Sequence, residues 1–235
     1  MTYHFVSKFK DRAEWRVLNQ EEIELLKSHK VCRVYTRGEI IFNDGDPSRG
    51  IYCIESGLVG ILKFNLEGNS LFLRHLVSAG GIIGYRSLLA GEKHRNSAKV
   101  LEDGLICFID RGAVMELLGH NPNFGLQFLK MATKALGEAE EEFLQLVTLN
   151  LRARIAHLLL ILTKNHGTSR KNGAVELELP LSRIDLAAMV GANPESVSRT
   201  ISKMGRDGVA IFSGRKVNIP EVADLLKEFD HKHNN

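Results

Sequence analysis

The chain lacks long apolar runs and a strong excess of charge of either sign. Its 235 residues contain no stretch of about eighteen consecutive apolar residues, so we expect no transmembrane helix. The first fifteen residues mix polar side chains with both charges, unlike a secretory signal, which predicts a cytoplasmic protein. The net charge of +3 is too small to indicate a nucleic-acid partner by itself. The 44% of hydrophobic residues is enough to form the core of one large or two small domains.

Cysteine is also scarce, and its spacing excludes the common metal-binding motifs. Cys32, Cys53 and Cys107 are far apart, with no C-x-x-C and no histidine pair at ligand spacing. An odd number of cysteines in a cytoplasmic chain predicts reduced thiols. Cys53 and Cys107 lie in alternating apolar segments, which favours buried strand thiols over the alternative, a redox or metal site.

No arrangement of residues typical of catalysis is present. We find no nucleophile beside a base, no paired carboxylates and no cluster of metal ligands, and the nine histidines are scattered. We therefore predict no catalytic residue, no metal site and no enzyme activity. The alternative is a ligand-binding enzyme or sensor with an incidental C-terminal domain.

The first half of the chain has the pattern of an antiparallel β-structure. Residues 19–30 predict a short helix, with Asn19 and Glu22 spaced for a capping box. From residue 32 to 110, short apolar runs alternate with turns about every ten residues, which favours a sandwich or barrel. Four glycines are predicted to supply positive φ in these turns: Gly45, Gly57, Gly68 and Gly104.

A long amphipathic helix is predicted over residues 123–148. Its apolar residues recur at steps of three and four: Phe124, Phe128, Met131, Ala135, Ala139, Phe143 and Leu146. This stripe can pack on the β-structure of its own chain or against a second copy as a coiled coil. The length of the helix favours both, so we predict a homodimer. Asn150 is a candidate N-cap for the next helix, and residues 148–150 are a candidate hinge.

Residues 179–219 predict two short helices and a hairpin. Ser182 and Asp185 are spaced to cap the first helix, which ends before Gly191. Asn193 is a candidate N-cap of the second helix, with Pro194 at its first position. A hairpin is predicted around residues 213–214. Two helices joined by a short turn with glycine, followed by a hairpin, are typical of a winged helix-turn-helix.

The exposed face predicted for the second helix has side chains suited to DNA. Arginine can bind guanine, glutamate can accept from cytosine and serine can bond to either, while basic residues contact phosphates. The alternative is that Glu195 and Arg199 form only a surface ion pair on the helix. The candidate DNA-binding residues are Glu195, Ser198, Arg199, Ser202, Lys203, Arg183, Arg215 and Lys216.

The order of these segments resembles the catabolite-activator and fumarate–nitrate-regulator (Crp/Fnr) family of bacterial transcription factors, from about residue 19 to residue 224. The stretch GEIIFNDGDPSRGIYCIESGLVGI is similar to the β-roll of that family, GGIIGYRSLLAGEKHRNSAKV to its phosphate-binding cassette, and NLRARIAHLLLIL to its first helix after the hinge. The resemblance implies an α+β fold. Its parts are a cyclic-nucleotide-binding-like β-roll (jelly roll) effector domain over residues 1–118, a dimerisation helix over 119–148 and a winged helix-turn-helix domain over 149–235.

The resemblance also implies a half-site. Glu195, Ser198 and Arg199 match the E-x-x-S-R pattern of the nitrate-regulator type, which implies an inverted repeat of TTGA-type half-sites. Arg199 would take the guanine, Glu195 the cytosine on the opposite strand and Ser198 a thymine. Pro194 stands where the cyclic-AMP type carries an arginine. The implied partners are double-stranded DNA, a second copy of the chain and RNA polymerase, with no membrane partner.

The cassette departs from the cyclic-AMP type at several positions. Tyr85 stands where that type has a glutamate on the ribose, and Asn96 separates Arg95 from Ser97. We therefore expect an anionic effector other than cyclic AMP, or no effector and a vestigial pocket, in which Arg95 pairs with a carboxylate such as Glu92. A cyclic-AMP-responsive regulator is the third alternative. The candidate effector-binding residues are Gly84, Tyr85, Arg86, Ser87, Arg95, Ser97 and Ala98.

The resemblance also raises the question of two other cofactors, an iron–sulfur cluster and haem. Its iron–sulfur members need an N-terminal cysteine cluster, and residues 1–30 contain no cysteine, so we predict no iron–sulfur cluster. His75 and His94 are formal candidates for haem ligands, but we assign neither a role. We expect DNA binding to be regulated by an equilibrium between two conformations. The hinge sets the relative orientation of the two DNA-reading helices, and an effector binds one of the two conformations more tightly.

Overall fold

The structure is a computed structural model that describes residues 15–64, 71–170 and 173–230. The chain divides into two compact units, and along the longest helix the boundary falls between Ala139 and Glu140.

The N-terminal unit is built on two antiparallel four-stranded sheets. The strands are β1 (Lys30–Tyr35), β2 (Ile40–Phe42), β3 (Gly50–Ile54), β4 (Leu58–Phe64), β5 (Leu71–Ser78), β6 (Ile82–Ile83), β7 (Ser97–Glu102) and β8 (Gly104–Asp110). One sheet has the strand order β1-β8-β3-β6 and the other β2-β7-β4-β5. Apolar side chains from both sheets, among them Ile54, Val59 and Ile106, form one buried cluster. The prediction of an antiparallel β-structure is confirmed.

Helices cover the other face of the β3–β8 sheet. They are α1 (Gln20–Ser28), α2 (Tyr85–Ala90), α3 (Arg111–His120) and α4 (Pro122–Thr148). Trp15, Leu26, Phe124 and Phe128 are buried there in one cluster with Ile51 and Ile109 of the sheet. The predicted capping box of α1 is present, because the backbone N–H of Glu22 donates to Asn19 Oδ1 over 2.9 Å and the Asn19 N–H donates to Glu22 Oε2 over 2.8 Å.

The predicted long helix is α4, and Phe124 and Phe128 of its predicted stripe are buried in the core of the N-terminal unit. A second set of large apolar side chains lies on a neighbouring line of the helix: Leu129 and Leu136, which were not in the predicted stripe, and Phe143, which was. They are 59%, 60% and 68% exposed. These three residues are seven positions apart, the spacing of a coiled-coil seam, and we call them the exposed stripe of α4.

The C-terminal unit combines helices with a small antiparallel sheet. Its described elements after α4 are α5 (Leu151–His166), β9 (Gly167–Ser169), β10 (Val175–Glu178), α6 (Arg183–Met189), α7 (Pro194–Arg206), β11 (Ile211–Ser213), β12 (Lys216–Ile219) and α8 (Val222–Asp230). The strand order of the sheet is β11-β12-β10-β9. Asn150 is the N-cap of α5, as predicted, and its Oδ1 accepts from the N–H of Ala153 over 2.9 Å. The helix break after Thr148 is also as predicted.

The prediction of reduced thiols is wrong for two of the three cysteines. Cys32 of β1 lies directly opposite Cys107 of β8, and a disulfide joins them. The two residues are 75 positions apart in the chain, and only the pairing of the two strands brings them together. The third cysteine, Cys53, is a buried strand residue outside the disulfide, as predicted.

One of the four glycine predictions is also wrong. Gly45 and Gly57 both have φ of +89°, the left-handed conformation that favours glycine. Gly104 does not adopt positive φ. Its role is a close approach of two backbone segments, because a Cβ atom there would lie 2.0 Å from the carbonyl oxygen of Ser56. Gly68 lies outside the described residues.

Among the described helices, none is both long enough and apolar enough to cross a membrane.

Candidate nucleic-acid interface and effector pocket

The first helix of the predicted helix-turn-helix, α6, starts at a reciprocal cap. The N–H of Asp185 donates to Ser182 Oγ over 3.1 Å, and the N–H of Ser182 donates to Asp185 Oδ2 over 2.9 Å. Both bonds satisfy backbone donors that the first turn of a helix leaves open. Leu186, Ala187 and Ala188 are buried, so α6 packs tightly within its unit.

A short turn joins α6 to α7. Gly191 in this turn has φ of +61°, and Asn193 Oδ1 accepts from the N–H of Ser196 over 2.8 Å to start α7. Pro194 occupies the first turn, where its missing N–H leaves no bond unmade. Both predicted caps and the predicted turn are confirmed, so the helix-turn-helix geometry is present.

The helix α7 has one apolar face and one polar face. Val197, Ile201 and Met204 are buried against the rest of the unit. Because residues three and four apart share a helix face, burial of these three sends the polar residues between them outward. The exposed side chains of α7 include the candidate DNA-binding residues Glu195, Ser198, Arg199, Ser202 and Lys203.

The alternative of a Glu195–Arg199 ion pair is not seen. Within the described part of the chain, no ion pair joins these two residues. Instead Arg199 Nη2 donates to Ser196 Oγ over 3.2 Å, and Ser202 Oγ donates to the carbonyl oxygen of Ser198 over 2.9 Å. The Glu195 carboxylate and most of the Arg199 guanidinium therefore face solvent with hydrogen-bonding capacity to spare.

The predicted wing is the hairpin of β11 and β12. Ser213 pairs with Lys216, and Gly214 at the turn has φ of +61°. Arg215 and Lys216 are exposed at this turn, although Arg215 Nε also donates to the carbonyl oxygen of Leu179 over 3.1 Å. The structure thus brings both basic residues to the wing tip, with Arg215 tethered at its Nε.

Arg183 is held by the wing rather than extended into solvent. Its guanidinium carbon lies 4.9 Å above the centre of the Phe212 ring, and its Nη2 donates to the carbonyl oxygen of Gly214 over 3.2 Å. The residue is half-buried, and burial lowers the pKa of its guanidinium. This contact with the wing was not part of the sequence prediction, which gave Arg183 only a phosphate contact.

Four of the seven candidate effector-binding residues lie at the start of a short helix that was not predicted. Gly84 has φ of +84° and precedes α2. Tyr85 is buried, its ring centre lies 5.9 Å from that of Phe128, and burial raises its pKa. Arg86 is exposed and Ser87 is half-buried on the same short helix. Tyr85 is therefore a core residue and is not turned toward solvent.

The remaining cassette residues already have partners. Arg95 Nε lies 2.6 Å from Glu92 Oε2, which confirms the alternative pairing, and the Arg95 side chain is 76% exposed. Ser97 is buried, and its Oγ accepts from the N–H of Asp44 over 2.9 Å. Ala98 is buried in β7. The cassette therefore has two exposed arginines, Arg86 and Arg95, and an anion bound to Arg95 would have to share it with Glu92.

His94, which is part of the cassette segment, is buried in the core. Its ring stacks on Phe42 with 3.8 Å between ring centres, and burial lowers its pKa. The backbone on either side is bonded to the turn after β2, through Gly45 N–H to His94 O over 2.7 Å and His94 N–H to Asp46 O over 2.9 Å. These contacts give His94 a structural role. The side chain of His75 lies outside the described residues.

Among the described residues, no group of three or more histidines, cysteines or carboxylates is placed to hold a metal ion.

Two family profiles match this chain. The profile of the cyclic nucleotide-binding domain matches residues 32–121, which contain both sheets of the N-terminal unit except the first two residues of β1. The profile of the Crp-like helix-turn-helix domain matches residues 153–228, which contain α6, α7 and the hairpin.

Individual proteins are similar over most of their length. The "Anaerobic regulatory protein" of Bacillus subtilis (strain 168) is 27% identical over 194 residues, 82% of this chain and 81% of that protein. The "Cyclic AMP receptor protein" of Thermus thermophilus is 29% identical over 214 residues, 90% of this chain and 93% of that protein. The structure of FixK2 from Bradyrhizobium japonicum superposes with a TM-score of 0.72 at 23% identity, covering 84% of this chain and 96% of that one, which shows a shared fold.

Proposed function

Because the chain belongs to the Crp/Fnr family of DNA-binding transcription regulators, we propose that it binds an inverted repeat of TTGA-type half-sites as a homodimer. The observation that carries this proposal is the exposed polar face of α7, on which Glu195, Ser198 and Arg199 lie side by side over a buried apolar back.

Each residue of this face has a role that fits its chemistry. The Arg199 guanidinium donates two parallel hydrogen bonds to the O6 and N7 of guanine, while Glu195 accepts from the amino group of cytosine. Ser198 packs beside a thymine. Lys203 and Ser202, together with Arg215 and Lys216 of the wing, contact phosphates and set the register of the helix on the duplex. Arg183 orients the wing and adds a positive charge beside it.

The exposed stripe of α4 supports the homodimer. Leu129, Leu136 and Phe143 are more than half exposed in one chain, although each is a large apolar side chain. A second copy that packs the same stripe against them would bury all three, as in a two-stranded coiled coil. Two copies of α7 then read two half-sites about one helical turn of DNA apart, roughly 34–36 Å.

The effector domain leaves two candidate modes of regulation: DNA binding that responds to an anionic effector, and DNA binding that needs no effector. The observation that favours the second is that two of the predicted anion ligands already have partners, because Arg95 is paired with Glu92 and Ser97 is bonded to Asp44. An anionic effector would have to displace Glu92 from Arg95, which is feasible because exposed ion pairs contribute only about 0–1 kcal/mol.

The proposal is tested by fluorescence anisotropy on the full chain at one stated salt concentration, since phosphate contacts make the affinity salt-dependent. We expect the wild-type protein to bind a duplex with an inverted TTGA repeat more tightly than a scrambled duplex. Arg199→Ala should weaken binding to the repeat by about 5- to 150-fold, the range of one bidentate base contact, and leave binding to the scrambled duplex nearly unchanged.

Arg170→Ala is the matched control. Arg170 follows the edge strand β9, at the opposite side of the C-terminal sheet from the wing, and pairs with Glu176. Its loss removes the same charge but should leave selectivity intact. If Arg199→Ala retains the wild-type preference for the repeat, the assignment of the base-reading face is wrong. Adding phosphate or cyclic AMP, with Arg95→Ala alongside, tests the mode of control, because an effector-independent protein responds to none of these changes.

A further inference from the structure

Arg152 occupies an unusual place for a cation. It is the second residue of α5, directly after the break that separates α5 from α4. The N-terminus of a helix carries a partial positive charge, so a cation in the first turn is unfavourable by itself. Anionic partners would offset this unfavourable interaction, and Arg152 contacts two carboxylates.

The first partner is a buried carboxylate of α8. Arg152 Nε lies 2.6 Å from Glu228 Oε2, and Arg152 Nη2 lies 2.7 Å from Glu228 Oε1. The Glu228 side chain is only 6% exposed, and a buried carboxylate is tolerated only with a well-placed cation. This bidentate pair fixes the plane of the guanidinium, and hydrogen bonding to Glu228 raises the pKa of Arg152.

The second partner ends the predicted DNA-reading helix. Arg152 Nη1 donates to Oδ2 of Asp207, the C-cap residue of α7. An anion at the C-terminus of a helix is also unfavourable by itself, because that end carries a partial negative charge. The Arg152–Asp207 ion pair therefore offsets two unfavourable charge–dipole interactions, one on α5 and one on α7. The hydrogen bond from Arg152 lowers the pKa of the Asp207 carboxyl. The Asp207 N–H donates to the carbonyl oxygen of Lys203 over 3.0 Å and closes the last turn of α7.

We propose that Arg152 is a positioning residue, which fixes the C-terminal end of α7 to the first turn of α5 and so orients the base-reading face of α7. This inference rests on the proposed function of α7. The helix has 13 residues, and Glu195, Ser198 and Arg199 lie in its first half. Its N-terminal end is held by the turn from α6 and its apolar face is buried along its length, and the contact at Asp207 adds a charged tether at its C-terminal end. Movement of the first turn of α5 is thereby transmitted to α7.

Asp207→Asn is the variant that tests this role. It removes the charge that Arg152 holds on α7 and leaves the buried Arg152–Glu228 pair intact, so the protein should fold, whereas a change at Arg152 would strand Glu228. Glu176→Gln is the matched control, because Glu176 also lies in an exposed ion pair of the C-terminal unit, with Arg170. Asp207→Glu keeps the charge and serves as the conservative variant.

The readout is the ratio of affinities for a specific and a scrambled duplex. The specific duplex is one that the wild-type protein selects from a random library, so the test does not depend on the TTGA assignment. We expect Asp207→Asn to lower the ratio about five- to tenfold, within the range of coupling between contacting residues. Asp207→Glu should keep at least half of the wild-type ratio, and Glu176→Gln should keep all of it.

A merely structural role would lower the melting temperature without changing this ratio. A ratio for Asp207→Asn within twofold of the wild type therefore overturns the inference, and so does an equal fall in Glu176→Gln, which would reveal a general effect of charge. If the wild-type protein selects no sequence from the library, the proposed function itself is wrong. This selection is done before any variant is measured, so the two failures are distinguishable.

Discussion

At the scale of single residues, three cysteines lie in one row across the β1-β8-β3 part of the sheet. Cys32 pairs in register with Cys107, and Cys107 pairs in register with Cys53. Cys32 is exposed on the edge strand, whereas Cys107 and Cys53 are fully buried. Since residues directly opposite each other in antiparallel strands project to the same face, the three side chains share the helix-covered face of the sheet.

This arrangement predicts a specific count of reactive thiols. After unfolding without reductant, only Cys53 should react with a thiol reagent, and all three cysteines should react after reduction. Loss of the Cys32–Cys107 bond should lower the free energy of unfolding by about 2–5 kcal/mol, because the bond closes a long loop in the unfolded chain. Thiol titration and denaturation of Cys32→Ser measure the two effects.

Cys53→Ala is the control, because it leaves the disulfide in place. Three reactive thiols in the unfolded, unreduced wild-type chain would contradict the disulfide directly.

At the scale of secondary structure, the helix-turn-helix is specified by short-range signals. Ser182 with Asp185, and Asn193 with the N–H of Ser196, are contacts over three residues. Such contacts follow from the identity of neighbouring residues alone, which explains why both helix starts were predicted correctly.

Removal of the Asn193 cap should weaken the second helix. We expect Asn193→Ala to lower the free energy of unfolding of the C-terminal unit by about 1 kcal/mol, because the N–H of Ser196 loses its acceptor. Urea denaturation followed by circular dichroism gives this value. Asn193→Ser keeps a capping oxygen and should be nearly neutral, so equal losses in both variants would argue against the cap as the cause.

Two helices were not predicted, for different reasons. The helix α2 has six residues between Gly84 and Gly91, both with positive φ, and is too short to display a helical period. The helix α8 does carry such a period, because Val222, Leu225 and Phe229 recur at steps of three and four, and its absence from the prediction was an oversight. Only the tertiary structure shows how α8 is anchored, through Glu228, which contacts a residue 76 positions earlier in the chain.

At the scale of the whole molecule, the chain consists of two compact units that share one long helix. The change of unit at Ala139 falls inside α4, so the helix belongs partly to each unit. The division into an effector domain, a dimerisation helix and a DNA-binding domain at residues 118 and 148 stays a prediction. The exposed apolar stripe of α4 is the feature that calls for a second copy of the chain.

A charge in this stripe should prevent dimer formation. We expect Leu136→Glu to sediment with the mass of one chain at concentrations where the wild type has the mass of two, because two carboxylates would meet in an apolar seam. Analytical ultracentrifugation makes the comparison, and binding to the inverted repeat should fall with it.

Lys134→Glu is the control for this variant. Lys134 is two residues back, about 200° away around the helix, and its side chain is 79% exposed beside Glu138. A monomeric Lys134→Glu variant, or a dimeric Leu136→Glu variant, would place the interface elsewhere.

The sequence by itself determined what depends on neighbouring residues. The alternation of apolar runs and turns over residues 32–110 is visible in neighbouring residues, although the strands pair over long distances. The caps at Asn19, Asn150 and Asn193 and the Arg95–Glu92 pair are contacts over three positions. Candidate residues on one helix face, such as Glu195 and Arg199, follow from the helical period in the same way.

Only the tertiary structure decided which distant residues meet. The Cys32–Cys107 disulfide depends on the register of β1 on β8, the Arg183 contact depends on where the wing folds, and Arg152 meets Asp207 and Glu228 only after α5, α7 and α8 have packed. The physical reason is that burial and strand pairing are cooperative properties of the whole fold. A one-residue slip in strand register would have left both cysteines apart, with no change in any local pattern.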